Sequence, residues 1–151
     1  MIEYVPIQVN KETSMAKRKK VWMYCPPKPR KPKVPDAVKH ELSSKAQQLI
    51  EDYLTPVHVK PPPKNPKFNY ITELFTRWYQ SYFYFCATYA SPGPDALSPS
   101  FEVRFARMGY QADGKFNLSY MRHTGQWWEI YSHITMDECL TAIKDEPHFI
   151  P

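Results

Sequence analysis

The densest run of chemistry-capable side chains in the sequence is NLSYMRHTGQWWEIYSH, residues 117–133. It holds Arg122, His123, Glu129 and His133 around one polar knot, Arg122-His123-Thr124-Gly125. A general base needs an imidazole or carboxylate within hydrogen-bond reach of its proton, with a tuned pKa. Three such groups, His123, Glu129 and His133, lie with Arg122 around one hairpin and could provide that. The same residues also read as a turn, with Glu129 forming a cross-strand ion pair with Arg122. No nucleophile elbow, P-loop, H-E-x-x-H or dinucleotide fingerprint occurs anywhere. Cys25, Cys86 and Cys139 lack local His partners, and their wide spacing gives neither a disulfide framework nor a zinc site. The expectation is a non-enzymatic protein without catalytic residues, metal or cofactor. If the hairpin functions at all, it does so as a recognition edge, with Arg104, Arg122, His123, Trp127 and Glu129 as candidate binding residues. Of these, Arg122 is assigned a structural role. His123 faces away from the core and is the functional candidate.

A second concentration is electrostatic. The net charge of +5 divides unevenly along the 151 residues: 15–35 carry +8 with no acid, 1–14 carry −1, and 36–151 are left with −2. The basic stretch contains Lys17, Arg18, Lys19, Lys20, Lys28, Arg30, Lys31 and Lys33, interleaved with Pro26, Pro27, Pro29, Pro32 and Pro35. Each ring fixes φ and disfavours helix in the residue before it, so an extended arm without a core is expected over residues 1–34. Cations spaced along such a chain suit a phosphate backbone, with Trp22 and Tyr24 available to stack. A solvating tail, or an arm whose aromatics dock on the domain, is the alternative. Met15 makes a second plausible chain start, which leaves residues 1–14 as an extension.

Residues 35–151 are long enough to bury one core. Val38, Leu42, Ala46, Leu49, Ile50 and Tyr53 recur at helical spacing, predicting a helix over 36–54 that Thr55-Pro56 ends. VHVKPPPKNPK, 57–67, is a stiff connector. From Phe68 the period changes to two. Strands are expected at 69–79 and 82–90, joined at Gln80-Ser81, and at about 101–110, 116–121 and 126–131, joined by the Asp113-Gly114 and Thr124-Gly125 turns. In this pattern Phe101, Val103 and Phe105 share one face, opposite Glu102, Arg104 and Ala106. Trp127, Glu129 and Tyr131 share another. Thr135 with Glu138 forms a capping box for a short closing helix. The fold class is α+β: an N-terminal helix, an antiparallel meander of about five strands and a short C-terminal helix. Leu42, Leu49, Phe83, Phe85, Phe105, Leu118, Trp128 and Leu140 are the expected core residues.

The order of these parts, together with LSYMRHTGQWWEIY and the tail DECLTAIKDEPHF, resembles a family of small bacterial proteins classed as a domain of unknown function. The resemblance covers about residues 35–149 and leaves the basic arm outside. It implies a bacterial, cytoplasmic domain and carries no catalytic residues over. The absence of a signal-peptide start and of an 18-residue apolar run points the same way, to no membrane association. Two functions fit. One is a nucleic-acid or ribonucleoprotein-associated module, with phosphates on the arm (Lys17, Arg18, Lys19, Lys20, Trp22, Lys28, Arg30, Lys31, Lys33) and bases on the aromatic sheet. The other is a protein-interaction or small-ligand domain using the sheet face, with the arm incidental.

Overall fold

The computed structural model describes residues 22–28 and 32–151. Helix α1 spans Asp36–Leu49 and continues through a π turn, Ile50–Leu54, into a last turn, Thr55–His58. Five strands follow: β1 (Tyr70–Tyr79), β2 (Tyr82–Ala90), β3 (Ser100–Tyr110), β4 (Phe116–Met121) and β5 (Trp127–Ile134). Helix α2, Met136–Asp145, and a 3-10 turn, Pro147–Phe149, close the chain. The strands form one antiparallel sheet in sequential order, β1-β2-β3-β4-β5. This is the α+β meander expected from the change of period at Phe68.

Helix α1 does not stop at Thr55-Pro56. Pro56 lacks the N–H for an α-type bond, and its ring crowds the carbonyl four residues back. The wider turn over Ile50–Leu54, in which the Thr55 N–H donates to the Ile50 carbonyl, lets the helix run past the ring to His58.

Leu42, Ala46, Ile50 and Leu54 are all buried and make one stripe down α1. They join Phe83, Phe85 and Ala87 of β2, Ala106 and Met108 of β3, and Phe116 and Leu118 of β4 in a single core, closed by Cys139, Ile143 and Phe149. Both helices therefore cover the same face of the sheet. Trp78 fastens β1 to α1, its Nε1–H donating to Ser43 Oγ at 3.0 Å, and Lys45 of α1 meets Asp137 of α2 at 2.9 Å. Thr135 caps α2 as its capping box predicts, its Oγ1 accepting from the Glu138 N–H at 3.2 Å.

Four register shifts set which residues face the helices. In β3 the register to β2 slips beside Phe105, so Phe85 opposes Ala106 while Cys86 opposes Arg104. Phe105 and Ala106 consequently both enter the core, and Ala106 leaves the face of Glu102 and Arg104 that simple alternation gives it. In β5 two successive slips move the partner of Leu118 to Tyr131 and that of Ser119 to Glu129. Tyr131 is thereby turned to the helix side, away from Trp127 and Glu129, and its hydroxyl donates to the Glu146 carboxylate. The fourth interrupts β1 between Ile71 and Glu73.

Trp128 is not a core residue. It opposes Tyr120 on the last strand, where the sheet runs out beyond the helices, and is 52% exposed. Leu49 and Leu140 are half-buried at the rim of the core rather than within it.

Candidate functional site

The face turned away from the helices carries its own order. Directly paired residues run straight across all five strands: Arg77, Tyr84, Arg107, Ser119 and Glu129. One step toward the β1–β2 turn lies the row Tyr79, Tyr82, Gly109 and Asn117. One step the other way lie Phe75, Cys86 and Arg104. Among the described residues no helix packs on this face.

Arginine and aromatic rings alternate across it. The Arg107 guanidinium lies 4.7 Å from the Tyr82 ring centre and 4.9 Å from that of Trp127, while Arg104 lies 4.6 Å from Tyr84. Arg77 sits 5.3 Å from Phe75 and reaches Glu102 at 3.5 Å. Arg104 and the Trp127 ring, whose centre lies 5.8 Å from that of Tyr84, help to cover Tyr84, which is only 6% exposed although no helix among the described residues packs on this face. Arg104 and Arg107 make no ion pair among the described residues. The Arg107 Nε–H is buried and finds no acceptor there. Guanidiniums held beside aromatic rings without an ion-pair partner are suited to anionic or planar partners.

Beside Arg107 the face dips into a polar cavity of about 160 Å³, bordered by Pro32, Gly109, Asn117, Ser119 and Glu129. Gly109 shapes its edge through the Tyr82 ring. A Cβ there would come within 3.1 Å of the Tyr82 ring, so the bare backbone lets that ring lie down on β3. Asn117 has a fixed orientation, its Oδ1 accepting from the His133 N–H at 2.8 Å across a β5 kink in which His133 adopts φ 59°.

The structure brings together three of the five hairpin candidates. Arg104, Trp127 and Glu129 share the open face, whereas Arg122 and His123 stand apart from it in the β4–β5 turn. The turn closes through Gly125 at φ 80°, with the Gly125 N–H donating to the Arg122 carbonyl and the Arg122 N–H to the Gln126 carbonyl, both at 2.9 Å. The Asp113-Gly114 loop has the same form, with Gly114 at φ 78°, so the polar knot is first of all a hairpin loop. Glu129 opposes Ser119, not Arg122, and no ion pair joins Glu129 to Arg122. Arg122 instead stacks on Trp128, 4.8 Å from its ring centre. His123 is exposed, as expected. Arg122→Ala should cost about 0.5–1 kcal/mol, the worth of an exposed cation–π contact, and His123→Ala nothing measurable. Thermal unfolding of the two variants checks this, and a larger loss for His123→Ala would contradict the placement.

Arg77, Tyr82, Tyr84, Arg107, Asn117 and Ser119 were missed by sequence reasoning. The alternation of Tyr82, Tyr84 and Cys86 against Phe83, Phe85 and Ala87 was the available sign of a second, aromatic face on β2. Neither buried cysteine is activated as a nucleophile. Burial pushes the Cys139 thiol up to about 12, and it raises that of Cys86 against the opposing pull of Arg77 and Arg104. Among the described residues no three His, Cys, Asp or Glu side chains converge on a metal site.

Of the arm candidates, Lys17, Arg18, Lys19, Lys20, Arg30 and Lys31 lie outside the described residues. Trp22, Lys28 and Lys33 are exposed, and Trp22 at 97% and Tyr24 at 86% dock on nothing described. Val34, by contrast, is buried in the core. No helix among the described residues is long and apolar enough to cross a membrane. Neither the curated proteins nor the solved structures contain a match to this sequence. A family model does match from the buried Val34 to the C-terminal Pro151, taking in the helices, the whole sheet and its open face: residues 34–151 place the chain in the family described as Domain of unknown function (DUF3024).

Proposed function

We propose that this is a non-enzymatic binding module for single-stranded nucleic acid, free or within a ribonucleoprotein, working in the cytoplasm of a bacterium. Bases lie against the open sheet face, and phosphates meet Arg104, Arg107 and the cations of the arm. The observation that carries this reading is the pair of arginines, each within 5 Å of an aromatic ring centre and neither ion-paired with a carboxylate among the described residues. Stacking on such a surface tolerates any base, and the guanidinium donors suit phosphate oxygens. The arm's charge adds the sequence-independent attraction that nucleic-acid binders use. Free thiols at Cys25, Cys86 and Cys139 suit a reducing compartment.

Replacing both Arg104 and Arg107 by Ala should weaken binding of a labelled single strand about tenfold or more. It should also flatten the salt dependence, by about 0.7 in log–log slope for each lost phosphate contact. Fluorescence anisotropy on variants with unchanged melting reads both. An unaltered affinity would remove the face from the interaction.

One observation favours a second reading. Glu73, Glu102 and Glu129 share the face with the three arginines, so its formal charge balances. A protein or small-ligand partner would use that neutrality, and its affinity would change little with salt.

A further inference from the structure

We infer that the cavity beside Arg107 is a guanine pocket. For a base held within a strand this rests on the single-strand reading; for a free nucleotide it stands alone. Arg107, Ser119 and Glu129 are direct cross-strand neighbours. At about 4.8 Å per strand, the Arg107 and Glu129 backbones stand roughly 10 Å apart, with only a serine between them. Both residues border the cavity. Neither makes an ion pair among the described residues.

A site with guanidinium donors at one end and a carboxylate at the other asks for a planar ligand of opposite polarity at its two ends. Guanine has that form. Its O6 and N7 accept, and an arginine fork is their commonest partner. Its N1–H and exocyclic N2–H₂ donate in parallel toward a carboxylate, as Glu129 would receive them. Adenine fails at this end because its N1 lone pair would face the carboxylate. Uracil and thymine offer one N–H between two carbonyls, which the carboxylate repels.

Two further features agree. The Asn117 Oδ1 is committed to the His133 N–H at 2.8 Å, so its Nδ2 is left to donate, adding a second donor for acceptors on the ligand. Arg107 spends none of its donors on a carboxylate among the described residues, which leaves its terminal guanidinium N–H groups for acceptors on the ligand. The volume of about 160 Å³ admits one planar ring system, being close to the roughly 150 Å³ of an apolar cavity that takes up benzene.

The test compares binding of GMP, AMP and UMP, and of eight-nucleotide single strands containing guanine or only adenine and uracil, to the full chain and to Glu129→Gln. Glu129 is exposed, so the variant should melt as the parent does. Guanine is expected to be preferred over adenine by about tenfold or more in the parent, and by less than about threefold in Glu129→Gln. If all strands bind alike and Glu129→Gln changes nothing, the guanine pocket is overturned while the single-strand reading stands. If GMP binds with that preference and no strand does, the pocket is upheld and the single-strand reading fails. If neither GMP nor any strand binds, both are overturned.

Discussion

Leu118→Ala is expected to destabilise the protein by about 2–5 kcal/mol, enough to remove a large part of the stability of a domain this size. Leu118 has no exposed surface. Its strand neighbours are Met108 on β3 and Tyr131 on β5, and it belongs to the same core as Cys139, Ile143 and Phe149. Truncation removes the transfer free energy of three carbons and leaves a void that a sheet pinned on both sides cannot collapse to fill. Leu49→Ala should cost distinctly less, because Leu49 is half-buried at the rim of the core and water already reaches it. Urea denaturation of the two variants checks the order. Equal losses would mean that the outer turn of α1 is packed more tightly than its exposure suggests.

The second large effect concerns salt. Eight cations lie between residues 15 and 33, and Arg104 and Arg107 add two on the sheet. If about five of these ten engage phosphates, the log–log slope for a single strand is about −3.5. Raising salt from about 50 to about 200 mM then weakens binding roughly a hundredfold. Removing residues 1–33 should cut the slope by most of that amount and leave the melting temperature nearly unchanged, since Trp22 and Tyr24 make no packing contact with the domain. An affinity that is flat against salt would favour the neutral face and a protein or small-ligand partner. A large fall in melting temperature on truncation would mean that the arm is structural.

Much of the architecture was legible because it depends on local rules. The switch from helical spacing to alternation at Phe68, the glycines of the two three-residue loops, and the Thr135 cap each act within a few residues. What was not legible depends on pairing. A bulge is one extra residue between two correctly alternating halves, and neither half shows it. Phe105 is such a residue, and it carries Ala106 to the core. The slip at Tyr131 likewise separates that residue from Trp127 and Glu129. Trp128 was placed in the core from its aromatic size and its parity, yet the helices do not extend over that end of β5. Pro56 ends a helix by the usual rule and failed to do so here because a π turn is not written in composition. The candidate site was half visible for the same reason. Arg104, Trp127 and Glu129 came from their own strands, whereas the row from Arg77 to Glu129 exists only once the register of four strand pairs is known.

Burial of Val34 has a consequence for how arm and sheet can act together. Two residues before it, Pro32 borders the cavity, so the arm departs from a fixed point at the rim of the open face. A fully extended chain spans at most about 3.3–3.6 Å per residue, which keeps the backbone of Lys28 within about 20 Å of Val34. Cations on so short a tether reach an effective concentration in the millimolar range near their anchor. A ligand seated on the face would therefore meet the arm as an intramolecular partner. The losses from truncating the arm and from emptying the face would compound as avidity is lost, rather than add as two independent sites would.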